Sequence, residues 1–353
     1  MMIFTRIATH LRARRMRRER RPELLGGIAV MALVTLYFTT RASSSDLYVF
    51  NLCLLAAIGA SALNLLMGTA GQVSIGSAAF LLVGAFGTVW AHRLGIVFPL
   101  DIIAATAIGA AVGLLVGLPA LRIQGLYLAL ATLAVHFIAL YVANEYQANA
   151  QDAGAGGFQV SPKFSHLGLL DQQRAWSWVL FGLVAATTVL MSRLLTARSG
   201  RALRLIRTHE TVAAVMGIPV ARTKLVLFMG TSAATAAQGG ITEYLTGSVS
   251  VEGYTLLLAV SYIAMIIIGG LDSLWGGTIG AGVVISLSTI STNAVSRFSP
   301  SPTAALHGPQ IAQVVFGALI IVFVLFSRNG IAGWPKAAAQ VLARLQRNRS
   351  TTP

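Results

Sequence analysis

The sequence predicts an all-α polytopic membrane protein with about ten transmembrane helices. At least one of these is broken or interrupted by glycine, and a short helix lies in a basic loop between spans. Three observations carry this. Hydrophobic residues make up 56% of the chain and charged residues 10%, where a soluble domain carries about 25% charged. Apolar runs of spanning length recur along the whole chain. The cations are gathered into blocks separated by those runs. A soluble enzyme and a disordered chain are thereby excluded, and the single Cys53 excludes a disulfide scaffold.

Taken in order, the spans fall at roughly 24–40, 47–67, 72–91, 99–119, 124–143, 176–195, 225–245, 254–270, 273–291 and 309–326. The run from Leu24 is of full spanning length and has no small-residue cleavage site, so it reads as a helix and not as a secretory signal. Two spans are irregular: 72–91 opens on Gly71-Gln72-Val73-Ser74-Ile75-Gly76, and 273–291 on Ser273-Leu274-Trp275-Gly276-Gly277. Gln72 and Ser74 would leave unpaired groups in plain lipid, so a broken helix lining a path is expected there. Gly109 to Gly113 and Gly276 to Ala281 read as close helix contacts. Cys53 is expected to pack as a small apolar residue.

Ten spans place both termini on one side, which the cations test independently. One side collects 21 of the 26, among them eight N-terminal arginines, Arg122, the seven from Arg193 to Lys224, and Arg328 onward. The other side keeps Arg41, Arg93, Lys163, Arg174 and Arg297. By the positive-inside rule both termini are cytosolic. The chain then divides into a basic arm (1–23), a membrane body (24–326) with an outer loop at 144–174 and a cytosolic loop at 197–224, and a basic tail (327–353). The arm is expected to touch anionic lipid. No motif or aromatic context suits the arginines to nucleic acid.

In the cytosolic loop, Arg201, Arg204 and Arg207 recur at every third residue beside the apolar Leu203, Ile206, Val212, Val215, Met216 and Ile218. The pattern predicts a short helix over Thr211 to Met216, with Thr208 as N-cap, Glu210 in the first turn and Gly217 as terminator. Such a helix can lie on the membrane surface or dock in a partner's groove, and spacing alone does not separate the two.

Ser199-Gly200-Arg201-Ala202-Leu203-Arg204-Leu205-Ile206-Arg207-Thr208-His209-Glu210, followed by Ala213-Ala214 and Gly217, resembles the cytosolic loop of the permease subunits of branched-chain amino acid ATP-binding-cassette importers. Asn64 to Gly68 with Gly71 to Gly76, Leu121 to Ala129 with Thr132 to Ala134, and Ile268-Gly269-Gly270 with Trp275-Gly276 resemble further signatures of that family, in order, over about residues 45–330. The resemblance implies an inner-membrane transport subunit that is not an enzyme and binds no cofactor itself. ATP and Mg would belong to a separate ATPase, a soluble binding protein would deliver the solute, and a second related permease would pair with this chain. It also implies that Arg201, Arg204, Arg207, Glu210, Ala213, Ala214 and Gly217 form the coupling element against the ATPase, with Glu210 meeting its basic residues. Ser77, Phe86 and Asp272 stand where histidine, tyrosine and glycine are common in the family, which leaves urea or a short amide open as the solute.

Gln72, Ser74, Ser77, Tyr127 and Thr132 are the candidate path residues. Asp101 and Glu243 are expected near outer interfaces and Asp272 at an inner turn. His136 could find partners in Thr132 and Tyr127, and Trp90, Trp176, Trp178 and Trp275 read as interfacial anchors. An ion-coupled transporter needs buried carboxylates, of which there are few, and an intramembrane hydrolase needs a Gly-x-Ser-x-Gly elbow, which Ser74 does not have. No Walker A sequence and no ligand-spaced Cys or His pair occurs, so neither nucleotide chemistry nor a metal site is expected.

Overall fold

The computed structural model describes residues 23–121, 125–150, 157–159 and 168–298, with 314, 317, 318, 321, 330 and 331. The basic arm and tail, Arg122 and nearly all of the expected tenth span at 309–326 lie outside the described residues.

Nine long helices run back and forth through the described body. They are α1 (Glu23–Arg41), α2 (Ser44–Leu63, extended by a π-helical turn over Asn64–Thr69), α3 (Ser77–Arg93), α4 (Leu100–Ala120), α5 (Leu126–Asn149), α6 (Leu169–Thr196), α9 (Val220–Thr246), α10 (Leu256–Gly269) and α11 (Gly276–Phe298). Two short helices, α7 (Arg198–Thr208) and α8 (Glu210–Val215), join α6 to α9. A two-stranded antiparallel ladder closes the opposite end, pairing β1 (Phe158–Gln159) with β2 (Ser248–Val249) so that Phe158 faces Val249.

Local signals account for several boundaries. Ser43 caps α2, its hydroxyl accepting from the Asp46 amide at 3.3 Å and donating to the Asp46 carboxylate at 2.8 Å. α9 stops at Gly247, whose φ of 77° is open to glycine at no steric cost.

Among the described residues six helices are long and apolar enough to cross a membrane: Glu23–Arg41, Ser44–Thr69, Leu100–Ala120, Leu126–Asn149, Leu169–Thr196 and Val251–Gly269. The helices that miss this standard are partly or wholly internal. α3 has only 17 residues, but most are buried, and α9 carries the buried polar Thr231, Ser232, Thr235, Gln238 and Glu243. A helix surrounded by protein does not need an apolar surface facing lipid, which is why α9 can carry these polar groups.

Small residues set the spacing of that centre. On α4, Gly109, Gly113 and Gly117 form one stripe, where an added methyl would run into Ala236, Ser232 and Leu225 of α9. On the neighbouring face, a side chain at Gly84 of α3 would overlap the backbone of Ala236, and one at Gly239 of α9 would overlap the Leu81 carbonyl. α9 is thus held between α3 and α4 at backbone-contact distance.

Several expected placements change. Trp176 is buried in the core at 1% exposure, while Trp90 and Trp178 remain half exposed. Trp275 packs its indole over Gly27 of α1. Asp101 and Glu243 lie near the ends of their helices and are fully buried against protein: the Tyr244 hydroxyl donates to Asp101, and His92 Nδ1 lies 3.8 Å from the same carboxylate. Among the described residues His136 finds no hydrogen-bond partner and is packed beside Phe137. All of these polar groups sit on helices whose neighbours could not be read from spacing.

Gly84→Leu should disrupt the α3–α9 contact and lower stability by roughly 1–3 kcal/mol, the usual cost of overpacking. Gly182→Ala, which has open space around it, should be nearly neutral. Thermal unfolding of the two detergent-purified variants measures the difference.

Candidate functional site: a helix pair seated on a broken helix

The end of the bundle that carries α7 and α8 is organised by a break. The α2 helix loosens into its π-turn, and the chain is non-helical from Ala70 to Gly76 before α3 begins at Ser77. Gly71 takes φ 71°, and the Gln72 amide reaches back to the Leu66 carbonyl at 3.2 Å. A broken helix is expected here; the structure shows residues 70–76 as a non-helical link between two separate helices, α2 and α3, and α3 starts five residues later than hydropathy suggests. Where this link is buried, its backbone groups need partners that other segments must supply.

They do so from three directions. Thr132 of α5, buried at 1% exposure, accepts the Ile75 amide at 3.0 Å and donates to its own helix at Ala129. The Ser74 hydroxyl accepts the Gly76 amide at 3.3 Å. Arg207 of α7 lies across Gly71, where an added methyl would meet its side chain, and donates to the Gly68 carbonyl. Asn64 joins the break to the α10–α11 turn, donating to the Ser273 carbonyl at 2.9 Å and accepting the Asp272 amide at 3.0 Å.

Asp272 gathers the rest. Its carboxylate accepts from Thr69 Oγ1 at 2.9 Å and from Arg204 Nε and Nη2, each at 3.2 Å. Two parallel charge-assisted bonds from a planar guanidinium fix distance and angle together. Arg204 and Arg207 thus face inward onto the chain's own break. Arg201 is exposed, with no hydrogen bond or ion pair among the described residues.

α7 passes into α8 through His209, which sits in extended backbone. The expected N-cap Thr208 belongs instead to the last turn of α7, its hydroxyl donating to the Arg204 and Leu205 carbonyls. Glu210 opens α8 as expected, and within the chain its carboxylate pairs with Lys224 of α9 at 2.6 Å. α8 closes in a Schellman arrangement. The Ile218 amide bonds the Ala213 carbonyl at 3.1 Å, the Gly217 amide bonds the Ala214 carbonyl at 2.9 Å, and Gly217 takes φ 77°. Ala213 is fully buried and Ala214 exposed, and Val215 and Met216 are 89% and 71% exposed.

Of the candidate path residues, Gln72, Ser74, Ser77 and Thr132 come together around the break, all buried. Gln72 borders a small gap that also reaches Lys224, which places the break next to the α8–α9 junction. Tyr127 does not join them and is 74% exposed at the start of α5. Spacing missed Asn64, Thr69 and Lys224. The signal for Asn64 was a lone amide inside a long apolar run, since such a group needs a partner.

The profile of the family described as "Branched-chain amino acid transport system / permease component" matches residues 46–324, which include the break, the α7–α8 pair and the α10–α11 turn. The chain belongs to this family. Two curated relatives are the high-affinity branched-chain amino acid transport system permease proteins LivM of Salmonella typhimurium and Escherichia coli, each 24% identical over 295 residues and covering 76% of this chain. The match spans 65% of those relatives' own length. No solved structure matches the chain. With six apolar helices and this family membership, the permease is a multi-pass inner-membrane protein.

Thr132→Val should leave the Ile75 amide without an acceptor and cost roughly 1–3 kcal/mol, and Thr132→Ser should restore most of it. Thermal unfolding in detergent, run on both variants, reads this out.

Proposed function

We propose that the chain is the transmembrane permease subunit of an ATP-binding-cassette importer and translocates branched-chain or other hydrophobic amino acids. In this reading a soluble binding protein delivers the solute, a separate ATPase holds ATP and Mg, and a second related permease chain completes the membrane unit. The body over 24–326 crosses the membrane ten times with both termini cytosolic, which puts the 197–224 loop on the ATPase side and the 144–174 loop on the delivery side.

The observation that carries this reading is the α7–α8 pair. It is anchored inward by Arg204, Arg207 and Glu210, yet turns Val212, Val215 and Met216 outward at 44%, 89% and 71% exposure. An apolar face on a short, rigidly capped helix suits insertion into a partner's groove. Arg201, Ala214 and Gly217 are exposed beside it, whereas buried Ala213 packs inward. The break residues Gln72, Ser74, Ser77 and Thr132 are assigned to the path.

The test is co-purification of the tagged chain with the products of its neighbouring genes. Recovery of an ATPase and a second permease is expected. Gly217→Leu has room for its side chain but must adopt a left-handed backbone, so it should leave the chain inserted while lowering uptake per ATP hydrolysed. Unchanged uptake at equal membrane abundance would refute the coupling role.

A second reading, an ion-coupled transporter, is favoured by one observation, the buried carboxylates Asp101 and Glu243. Uptake that collapses with the ion gradient, and persists without ATP, would select it. Within the importer class, competition by urea against leucine distinguishes the amide solutes from amino acids.

A further inference from the structure

We propose that the Arg204–Asp272 pair is the joint through which movement of the α7–α8 pair is passed to the broken helix, a role that rests on the importer reading above. Among the described residues Asp272 is the only non-glycine with positive φ, at 57°. That conformation is disfavoured for a residue with a side chain and persists only where its surroundings over-determine it. Here they do. The amide is held by Asn64, and the carboxylate by Thr69 and by both arms of the Arg204 fork.

The four groups come from three separate stretches: the π-turn of α2, the α10–α11 turn and the middle of α7. Gly68 allows the first two to touch, since a methyl there would sit against the Asp272 amide. Arg207, one turn beyond Arg204 on α7, adds a second strap to the Gly68 carbonyl. The α7 helix therefore grips the α10–α11 turn through Arg204 and the π-turn that leads into the break through Arg207. The Arg204 and Asp272 side chains are only 35% and 29% exposed, so solvent weakens their attraction less than at an open surface. A shift of α7 cannot leave residues 68–71 or 270–273 behind without tearing a bidentate ion pair. Gln72 and Ser74 follow directly in the chain, so the same shift reaches the path residues.

The experiment uses proteoliposomes containing this chain, its second permease and its ATPase, supplied with binding protein and with leucine and urea as probes. Asp272→Asn keeps a residue tolerated in left-handed backbone and an acceptor for Thr69 while removing the charge. Arg204→Gln removes the fork. Each single variant is expected to retain the ATPase and its hydrolysis but to lose uptake per ATP by about tenfold, the effect of one charge-assisted contact. The double variant should be no worse than either single, since both remove the same interaction. An unchanged ratio of uptake to hydrolysis, or losses that multiply in the double variant, would overturn the joint while leaving the importer reading intact. Failure of the unaltered assembly to import either probe with ATP would overturn the importer reading and the joint with it.

Discussion

The α7–α8 end is organised around the non-helical link between α2 and α3, whose buried backbone groups need partners. A continuous helix meets its own hydrogen-bonding needs, and a broken one must borrow. Thr132 of α5 accepts an amide of the link, Arg207 of α7 donates to a carbonyl of the neighbouring π-turn, and Asn64 of that π-turn in turn serves the backbone of the α10–α11 turn. The break thus gathers elements from across the chain, and the residues that stabilise it are also those placed to sense its movement. Stability and any function of this end are hard to separate, because the candidate residues Ser74 and Thr132 share the hydrogen bonds that hold the link.

The rest of the bundle is organised by closeness. Glycines and alanines on α3, α4 and α9 bring backbones into contact, and in an apolar surrounding this contact supplies the attraction that exclusion of water supplies elsewhere. Polar side chains that would be costly in lipid then have a dry interior to occupy. Gln238 donates to Tyr262, and Tyr244 to Asp101, both pairs buried.

Much of this was legible in the residues. The positions of nine long helices, the non-helical stretch near Gly71 and the glycine stop of α8 all rest on local chemistry, which sequence displays. The resemblance of the Ser199–Gly217 stretch to a permease loop led to the family that the 46–324 match establishes. What could not be read was long-range pairing. Nothing in the spacing of Glu210 reveals Lys224 as its partner, and Asp272 read as a turn residue until Arg204 and Thr69 were found on it. The burial of Asp101, Glu243 and Trp176 was missed for the same reason, since periodicity shows which face is apolar but not which faces are enclosed.

The α9 helix has 27 residues and so is a rod of about 40 Å. At one end Lys224 clasps the start of α8, and at the other Gly247 leads directly into the strand that pairs with Phe158. One continuous helix therefore has the two opposite faces of the molecule as its handles. Because a helix resists bending far more than a chain of side-chain contacts resists slipping, a tilt imposed at the ladder would appear at Lys224 as a lever stroke, with the glycine contacts to α3 and α4 as its fulcrum.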